Sequence, residues 1–376
     1  MAVKKTAKKN SSKKKTSAKT PKKKVNTNIV SSKKNNKKNK DEPPEIEPVH
    51  EIRKDYMLDF EVLIADNRSK RPHEYAMKEK EPKEKKDDPF LPGNEDKTPM
   101  EIGRIGSPQK WTMRWFENKY PLFNLTPVDQ GPKKYDALFQ SKPAKGFHEV
   151  IVATNQKDRN IEDFTPKQLE SLLQVYGQEI QRHHDIQGIK YVLVFKNKGA
   201  RAGTSIIHEH SQLIALPFVP PRVEEEISES SRYFRSRRRC VYCDVLQAEK
   251  KGPRFIYENK SFIVFAPYAS RYNFETWIMS RMHKSSFQEF LPKDYEGLSD
   301  AILYVVKRLK NIGLHYNLVV HYEPLTKAYK EKFSGLHFHI EILPRRQTWA
   351  GLEIGGGLIV NDISPERAAH HLRGSK

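Results

Sequence analysis

Two short stretches of this chain follow one pattern. His208-Glu209-His210-Ser211-Gln212 runs into an apolar segment that stops at Pro217, and His337-Phe338-His339-Ile340-Glu341 runs into one that stops at Pro344. Proline cannot donate to a ladder, so each segment reads as a strand closed at its end. Side chains alternate faces along a strand. His208, His210 and Gln212 therefore share one face, and Glu209 and Ser211 the other. What precedes each pair repeats as well. In the first half, residues 150–153 read as a strand and Thr165-Pro166 opens a helix, with Thr as N-cap and Pro at the first helical position. Leu169, Leu172, Leu173, Tyr176 and Ile180 recur there at helical spacing. A strand over 191–195, a glycine-containing loop over 197–203 and the His-x-His strand follow. In the second half come a strand over 276–279 and a helix from Pro292, with Leu298, Ile302, Val305, Val306 and Leu309 on one face. A strand over 317–320 ending at His321 and the second His-x-His strand complete it. Strand, helix, strand, His-x-His strand in two copies predicts two structurally similar units. Packing alone does not account for a polar pair that recurs in one context.

Charge is spread unevenly. Residues 1–40 hold 16 Lys and no Asp or Glu, which leaves +5 of the net +21 for the rest of the chain. Such a segment has too little apolar surface to fold. It is expected to be a solvated arm with nonspecific affinity for polyanions. Residues 1–56 are thus read as basic tail and linker, 57–222 as a first folded domain and 223–376 as a second. Two Cys in one Cys-x-x-Cys are too few for a disulfide scaffold and suggest a reducing compartment, hence a cytoplasmic location. No run of 18 apolar residues predicts a membrane span.

The combination of Asn67-Arg68-Ser69-Lys70-Arg71-Pro72, Asn197-Lys198-Gly199, Gly203-Thr204-Ser205, the 208–212 core and the C-terminal run from Pro365 to Arg373 resembles the galactose-1-phosphate uridylyltransferase family of the histidine-triad superfamily. The resemblance runs, with gaps, from about residue 57 to 373. It implies an α+β fold of two histidine-triad-like domains, each an antiparallel sheet with helices packed on it. It also implies galactose metabolism, a homodimer, and a nucleotide sugar and a sugar phosphate as substrates. By this resemblance His210 is the nucleophile, attacking the α-phosphorus to give a nucleotidyl-histidine, and His208 belongs to the same core. Gln212 donates to a phosphate oxygen. Arg68 and Arg71 bind a sugar phosphate, a guanidinium fork being matched to phosphate. Asn197, Gly203 and Ser205 line the phosphate and nucleotide, and Phe90 and Asn118 lie near base and ribose. The family's core is usually His-Pro-His-x-Gln; Glu209 stands at the proline and is expected to point away from the site.

The family's first half usually begins with a Cys-x-x-Cys metal site before Pro-Gly-Asn. The matching stretch is Asp88-Pro89-Phe90-Leu91-Pro92-Gly93-Asn94, and Lys157 stands at the later histidine ligand. No zinc is expected in this half. In the second half Cys240 and Cys243 are followed by His283 after 40 residues and His337 after a further 54, against 51 between Lys157 and His208. Two thiolates and two imidazoles make a closed tetrahedral set, so a structural zinc is expected there. A rival set of Glu226, His321, His337 and His339 matches an iron-type site in some family members. Two enzymatic readings follow from the resemblance: transfer of UMP between UDP-hexose and hexose 1-phosphate, or phosphorolysis of ADP-glucose or a dinucleoside polyphosphate. Glycines at 356–357, where classical uridylyltransferases carry larger side chains against the sugar, resemble the adenylyl branch more. A third reading, a nucleic-acid binder with a vestigial nucleotide fold, rests on the Lys-rich arm. Its lysines are not interleaved with aromatic residues that could stack on bases.

Overall fold

The structure, a computed structural model, describes residues 47–70, 88–125, 142–326 and 335–374. The Lys-rich arm, residues 1–40, and Arg71 lie outside the described residues. Among those described, ten strands form one sheet: β3 (Glu101–Ser107), β4 (Lys110–Glu117), β5 (Phe147–Val152), β6 (Tyr191–Lys198), β7 (His210–Leu216), β8 (Phe255–Glu258), β9 (Phe262–Phe265), β10 (Thr276–Ser280), β11 (Tyr316–His321) and β12 (His339–Pro344). A smaller sheet joins β1 (His50–Lys54), β2 (Glu61–Ala65) and β13 (Ile359–Asn361). The helices are α1 (Pro166–His184), α2 (Pro221–Arg237), α3 (Val241–Glu249), α4 (Pro292–Asn311), α5 (Gly351–Gly356) and α6 (Pro365–Arg373). None is long and apolar enough to cross a membrane.

The large sheet is antiparallel throughout, in the order β3-β4-β5-β7-β6-β11-β12-β10-β9-β8. From the middle outward each half reads the same way. β6 and β11 meet at the centre, the His-x-His strands β7 and β12 come next, then β5 and β10. The two antiparallel sheets expected from the resemblance are thus hydrogen-bonded edge to edge, with Phe195 opposite Val319 and Asn197 opposite Asn317.

α1 and α4 occupy equivalent places in the two halves and pack on each other. Thr165 caps α1 as expected, its side chain accepting from Gln168 N–H at 3.3 Å. The apolar stripes at 169, 172, 173, 176 and 180 and at 298, 302, 305, 306 and 309 are buried. Each aliphatic side chain among them contributes about 1.5–3 kcal/mol relative to exposure. The helices cover one face of β7: the Tyr176 hydroxyl of α1 meets the Ser211 hydroxyl. By alternation His210 and Gln212 turn to the opposite face.

The linker expected up to residue 56 is partly ordered. Residues 50–54 form β1, because Arg53 is buried, stacks on the Tyr268 ring at 4.5 Å and pairs with Glu366 of α6 at 2.9 Å.

Candidate active site

β7 begins at His210, so His208 lies just ahead of the ladder, whose pairing with β5 stops at Val152–His210. His210 Nδ1 donates to the carbonyl of His208 at 2.7 Å. That bond places the proton on Nδ1 and leaves Nε2 with its lone pair. Burial pushes the His210 imidazole down from 6.5 to about 4, the positive Lys196 adding in the same direction. The ring is therefore neutral near pH 7, as a nucleophile requires.

Gln212, the next residue on that face, is held by His148 of β5. The backbone N–H of Leu122 donates to His148 Nδ1 at 3.1 Å. A backbone donor leaves no choice of tautomer, so His148 Nε2 carries the proton and donates to Gln212 Oε1 at 2.9 Å. The Gln212 amide oxygen is thereby occupied, which leaves its NH2 group as the donor end of the side chain. Asn118 lies against the same His148 nitrogen at 3.2 Å, its own oxygen accepting from Tyr120 N–H. Sequence reasoning missed His148. The available signal was a histidine two residues before the apolar run Val150-Ile151-Val152 of β5.

His208 is buried with both ring nitrogens engaged, Nδ1 with Asp88 Oδ2 and Nε2 with the Thr154 carbonyl, each at 2.7 Å. Phe90 packs edge-on against both imidazoles, its centroid 5.9 Å from His208 and 5.6 Å from His210. Glu209 turns to the helix-covered face, where it is buried, pairs with Lys196 and accepts from Ile161 N–H at 3.1 Å. The loop after β6 carries left-handed glycines at Gly199 (φ 82°) and Gly203 (φ 84°). A side chain at Gly199 would also strike the His315 ring. Asn317 of β11 braces this loop, donating to Asn197 Oδ1 and to the Ala202 carbonyl, both at 2.8 Å. Ser205 is exposed beyond it. Arg68 is exposed on the short helical turn Asp66–Lys70. Asp66 anchors that turn to the C-terminal helix through Ser364 N–H and Arg367.

In the second half, Cys240, Cys243, His283 and His337 place one donor atom each within 4.8 Å of one another. Cys243 Sγ lies 3.6 Å from His283 Nδ1 and 3.7 Å from His337 Nδ1. A tetrahedral ion with bonds of about 2.3 Å to sulfur and 2.0–2.1 Å to nitrogen sets such pairs roughly 3.5 Å apart. The set fits zinc by donor type and spacing. His337 Nε2 donates to the Ser280 carbonyl at 2.8 Å, which turns Nδ1 toward the thiols.

The rival set is rearranged. His337 goes with the cysteines, and Glu226, His321 and His339 gather instead with Glu341. His321 Nδ1 meets Glu226 at 2.9 Å, and its ring stacks on His339 at 4.7 Å. Arg222 and Arg271 pair with the two carboxylates at 3.0 and 2.7 Å. The sequence-based set lacked Glu341, which alternation places on the face of His339.

Two sequence models of families match this chain. One, galactose-1-phosphate uridyl transferase, N-terminal domain, covers residues 11–220; the other, a domain of unknown function (DUF4921), covers 147–373. The chain belongs to the galactose-1-phosphate uridylyltransferase family. Within it, the chain is 30% identical over 330 residues to ADP-glucose phosphorylase of Arabidopsis thaliana, spanning 86% of this chain and 92% of that protein. It is 26% identical over 284 residues to galactose-1-phosphate uridylyltransferase of Thermotoga maritima, spanning 73% and 88%. The crystal structure of the Arabidopsis ADP-glucose phosphorylase with bound ADP-glucose superposes with a TM-score of 0.74 at 28% identity, covering 87% of this chain and all of that one. A uridylyltransferase structure gives 0.67 at 26%, covering 86% and 97%. As a family member the chain is an enzyme of the nucleotidyltransferase kind.

Proposed function

We propose that this enzyme moves a nucleotidyl group from a nucleoside-diphosphate hexose to a phosphate acceptor through a covalent intermediate on His210. The observation that carries the reading is the 2.7 Å bond from His210 Nδ1 to the His208 carbonyl, which leaves Nε2 with its lone pair. In the first step the Nε2 lone pair forms a bond to the α-phosphorus. The bond from that phosphorus to the bridging oxygen breaks, and the hexose 1-phosphate leaves with the electron pair. In the second step a phosphate oxygen of the acceptor attacks the same phosphorus and returns the pair to Nε2. Splitting one displacement into two lowers the barrier of each. The NH2 group of Gln212 donates to the phosphoryl oxygen on which charge develops. The loop over 199–203 offers backbone N–H groups to the phosphates. Asn197, Ser205, Phe90 and Asn118 line the nucleotide, and Arg68 and Arg71 take the sugar phosphate. A zinc held by Cys240, Cys243, His283 and His337 would tie α3 to β10 and β12 without touching substrate.

The similarity to an ADP-glucose phosphorylase and the glycines at 356–357 favour AMP as the transferred group and inorganic phosphate as acceptor. Transfer of UMP between UDP-hexose and hexose 1-phosphate is the second reading, supported by the uridylyltransferase relatives. We further propose a homodimer, with the Lys-rich arm as a nonspecific polyanion-binding accessory. Intact-protein mass spectrometry after incubation with ADP-glucose or with UDP-glucose tests the main proposal. A mass increase of one AMP or one UMP, discharged by phosphate or by galactose 1-phosphate and absent in His210→Asn, is expected. An unmodified wild-type protein with both donors refutes it.

A further inference from the structure

We infer that Asp88 is a positioning residue for the nucleophile: by fixing the His208 ring it fixes the carbonyl that sets the tautomer of His210. The inference rests on the proposed role of His210. Three bonds of 2.7 Å form a chain, from Asp88 Oδ2 and the Thr154 carbonyl to the two nitrogens of His208, and from the His208 carbonyl to His210 Nδ1. The carbonyl needs this support because of where it sits. The pairing of β7 with β5 runs to His210 with one further backbone bond, from Ala153 N–H to the Glu209 carbonyl at 3.1 Å, and the His208 carbonyl takes its bond from His210 Nδ1 rather than from β5. The side-chain tie supplies the constraint that the ladder lacks.

Asp88 is itself immobilised. It is buried, its Oδ1 accepts from Phe90 N–H at 2.9 Å, and its carbonyl accepts from the Asn94 amide at 2.7 Å. The same turn places the Phe90 ring against both imidazoles, so the tie also fixes one wall of the site. The His208 ring is thus held at both nitrogens, by a carboxylate on one side and a backbone carbonyl on the other. Lys157 lies near enough to favour that carboxylate further. The cross-tie holds His208 with groups of the chain alone, joining the turn at 88–94, the end of β5 and the start of β7. Without it the His208 peptide can rotate, and His210 can hold its proton on Nε2, where it cannot attack phosphorus.

Asp88→Ala and Asp88→Asn in the full chain test this. Single-turnover labelling with ADP-glucose and with UDP-glucose gives the rate of adduct formation and the Kd separately. The ¹⁵N resonances of histidine-labelled protein give the tautomer of His210, identified by their loss in His210→Asn. In Asp88→Ala we expect the rate to fall about a hundredfold, the scale of a misplaced reacting group, at unchanged Kd and with mixed tautomers at His210. Asp88→Asn keeps an acceptor but not the charge and should fall between. A wild-type rate and a single Nδ1–H tautomer in Asp88→Ala overturn the inference. If that variant does not fold, the same result in Asp88→Asn overturns it. A wild-type protein that forms no adduct refutes the function instead, and the tautomer comparison still decides the role of Asp88.

Discussion

The His210 imidazole is buried, and this desolvation lowers its pKa from 6.5 to about 4. The consequence for stability has a definite sign. Between those two values the unfolded chain binds a proton at this position and the folded chain does not, so folding is favoured as pH rises. The stability associated with a neutral His210 is fully present above pH 6.5 and is lost as pH falls toward 4. Over the interval from about pH 7.5 to about pH 4.5 the loss is about 2.5 kcal/mol, since a tenfold difference in proton affinity between folded and unfolded chain is worth about 1.4 kcal/mol. Carboxylates titrate in the same range, so wild type alone does not isolate the effect. Asn at 210 removes the titrating group and leaves the others in place. Urea unfolding of wild type and His210→Asn should therefore show a stability difference that moves by about 2.5 kcal/mol against wild type over this interval. The rate of adduct formation should meanwhile stay level down to about pH 5, with no break near the ordinary histidine value. A stability difference independent of pH, together with a rate that halves near pH 6.5, would refute the burial argument.

Three other outcomes are expected. Metal analysis of the full chain should find about one zinc, lost in Cys243→Ser together with stability, because ligand binding and folding are linked. Full zinc occupancy in the Cys240→Ser/Cys243→Ser double variant would refute the ligand set. His148→Ala frees the Gln212 amide to turn its oxygen toward the phosphate; adduct formation should slow by about tenfold or more, toward the 10²–10³ of a lost oxyanion donor. An unchanged single-turnover rate would count against the tautomer assigned to His148. Lys196→Met leaves the buried Glu209 carboxylate unpaired and should cost about 3–5 kcal/mol in denaturant unfolding. Glu209→Met placed in the same chain should restore most of that, and failure to do so would mean the pair is not the source.

The elements that the sequence made legible are those whose signal is local. The stripes of α1 and α4, the prolines that open them and the prolines that close β7 and β12 each depend on a few neighbouring residues. β1 was hidden because His50-Glu51-Ile52-Arg53-Lys54 has no apolar alternation; its place depends on Arg53 reaching Glu366, 313 residues away. The fusion of the two half-sheets at β6 and β11 is likewise a long-range pairing with no local mark. The site divides the same way. The shared face of His210 and Gln212 was legible from spacing within one strand. The groups that orient them were not, since His148 is 64 residues from Gln212 and Asp88 is 120 from His208. Asp88 stood out only as a departure from the family's pattern, which said what was missing and not what the carboxylate does.

The two His-x-His copies show how one backbone device takes two roles. In each, the second imidazole donates from Nδ1 to the carbonyl of the first, at 2.7 Å for His210 and 2.8 Å for His339. The difference lies two residues on. Gln212 is neutral and, with its oxygen held by His148, faces the site as a donor. Glu341 is an anion that would repel a phosphate at that distance, and Arg271 already occupies it. His339 is fully buried, with Tyr242, Trp277 and His321 against its ring, so no phosphorus can approach its Nε2. The first histidines diverge too, His208 toward Asp88 and His337 toward the cysteines. The second half still serves the first, because Asn317 crosses the central seam to hold the loop that follows β6. Under the proposed function, a polar residue at one alternate position, and what covers it, therefore separates the half that carries the chemistry from the half that braces it.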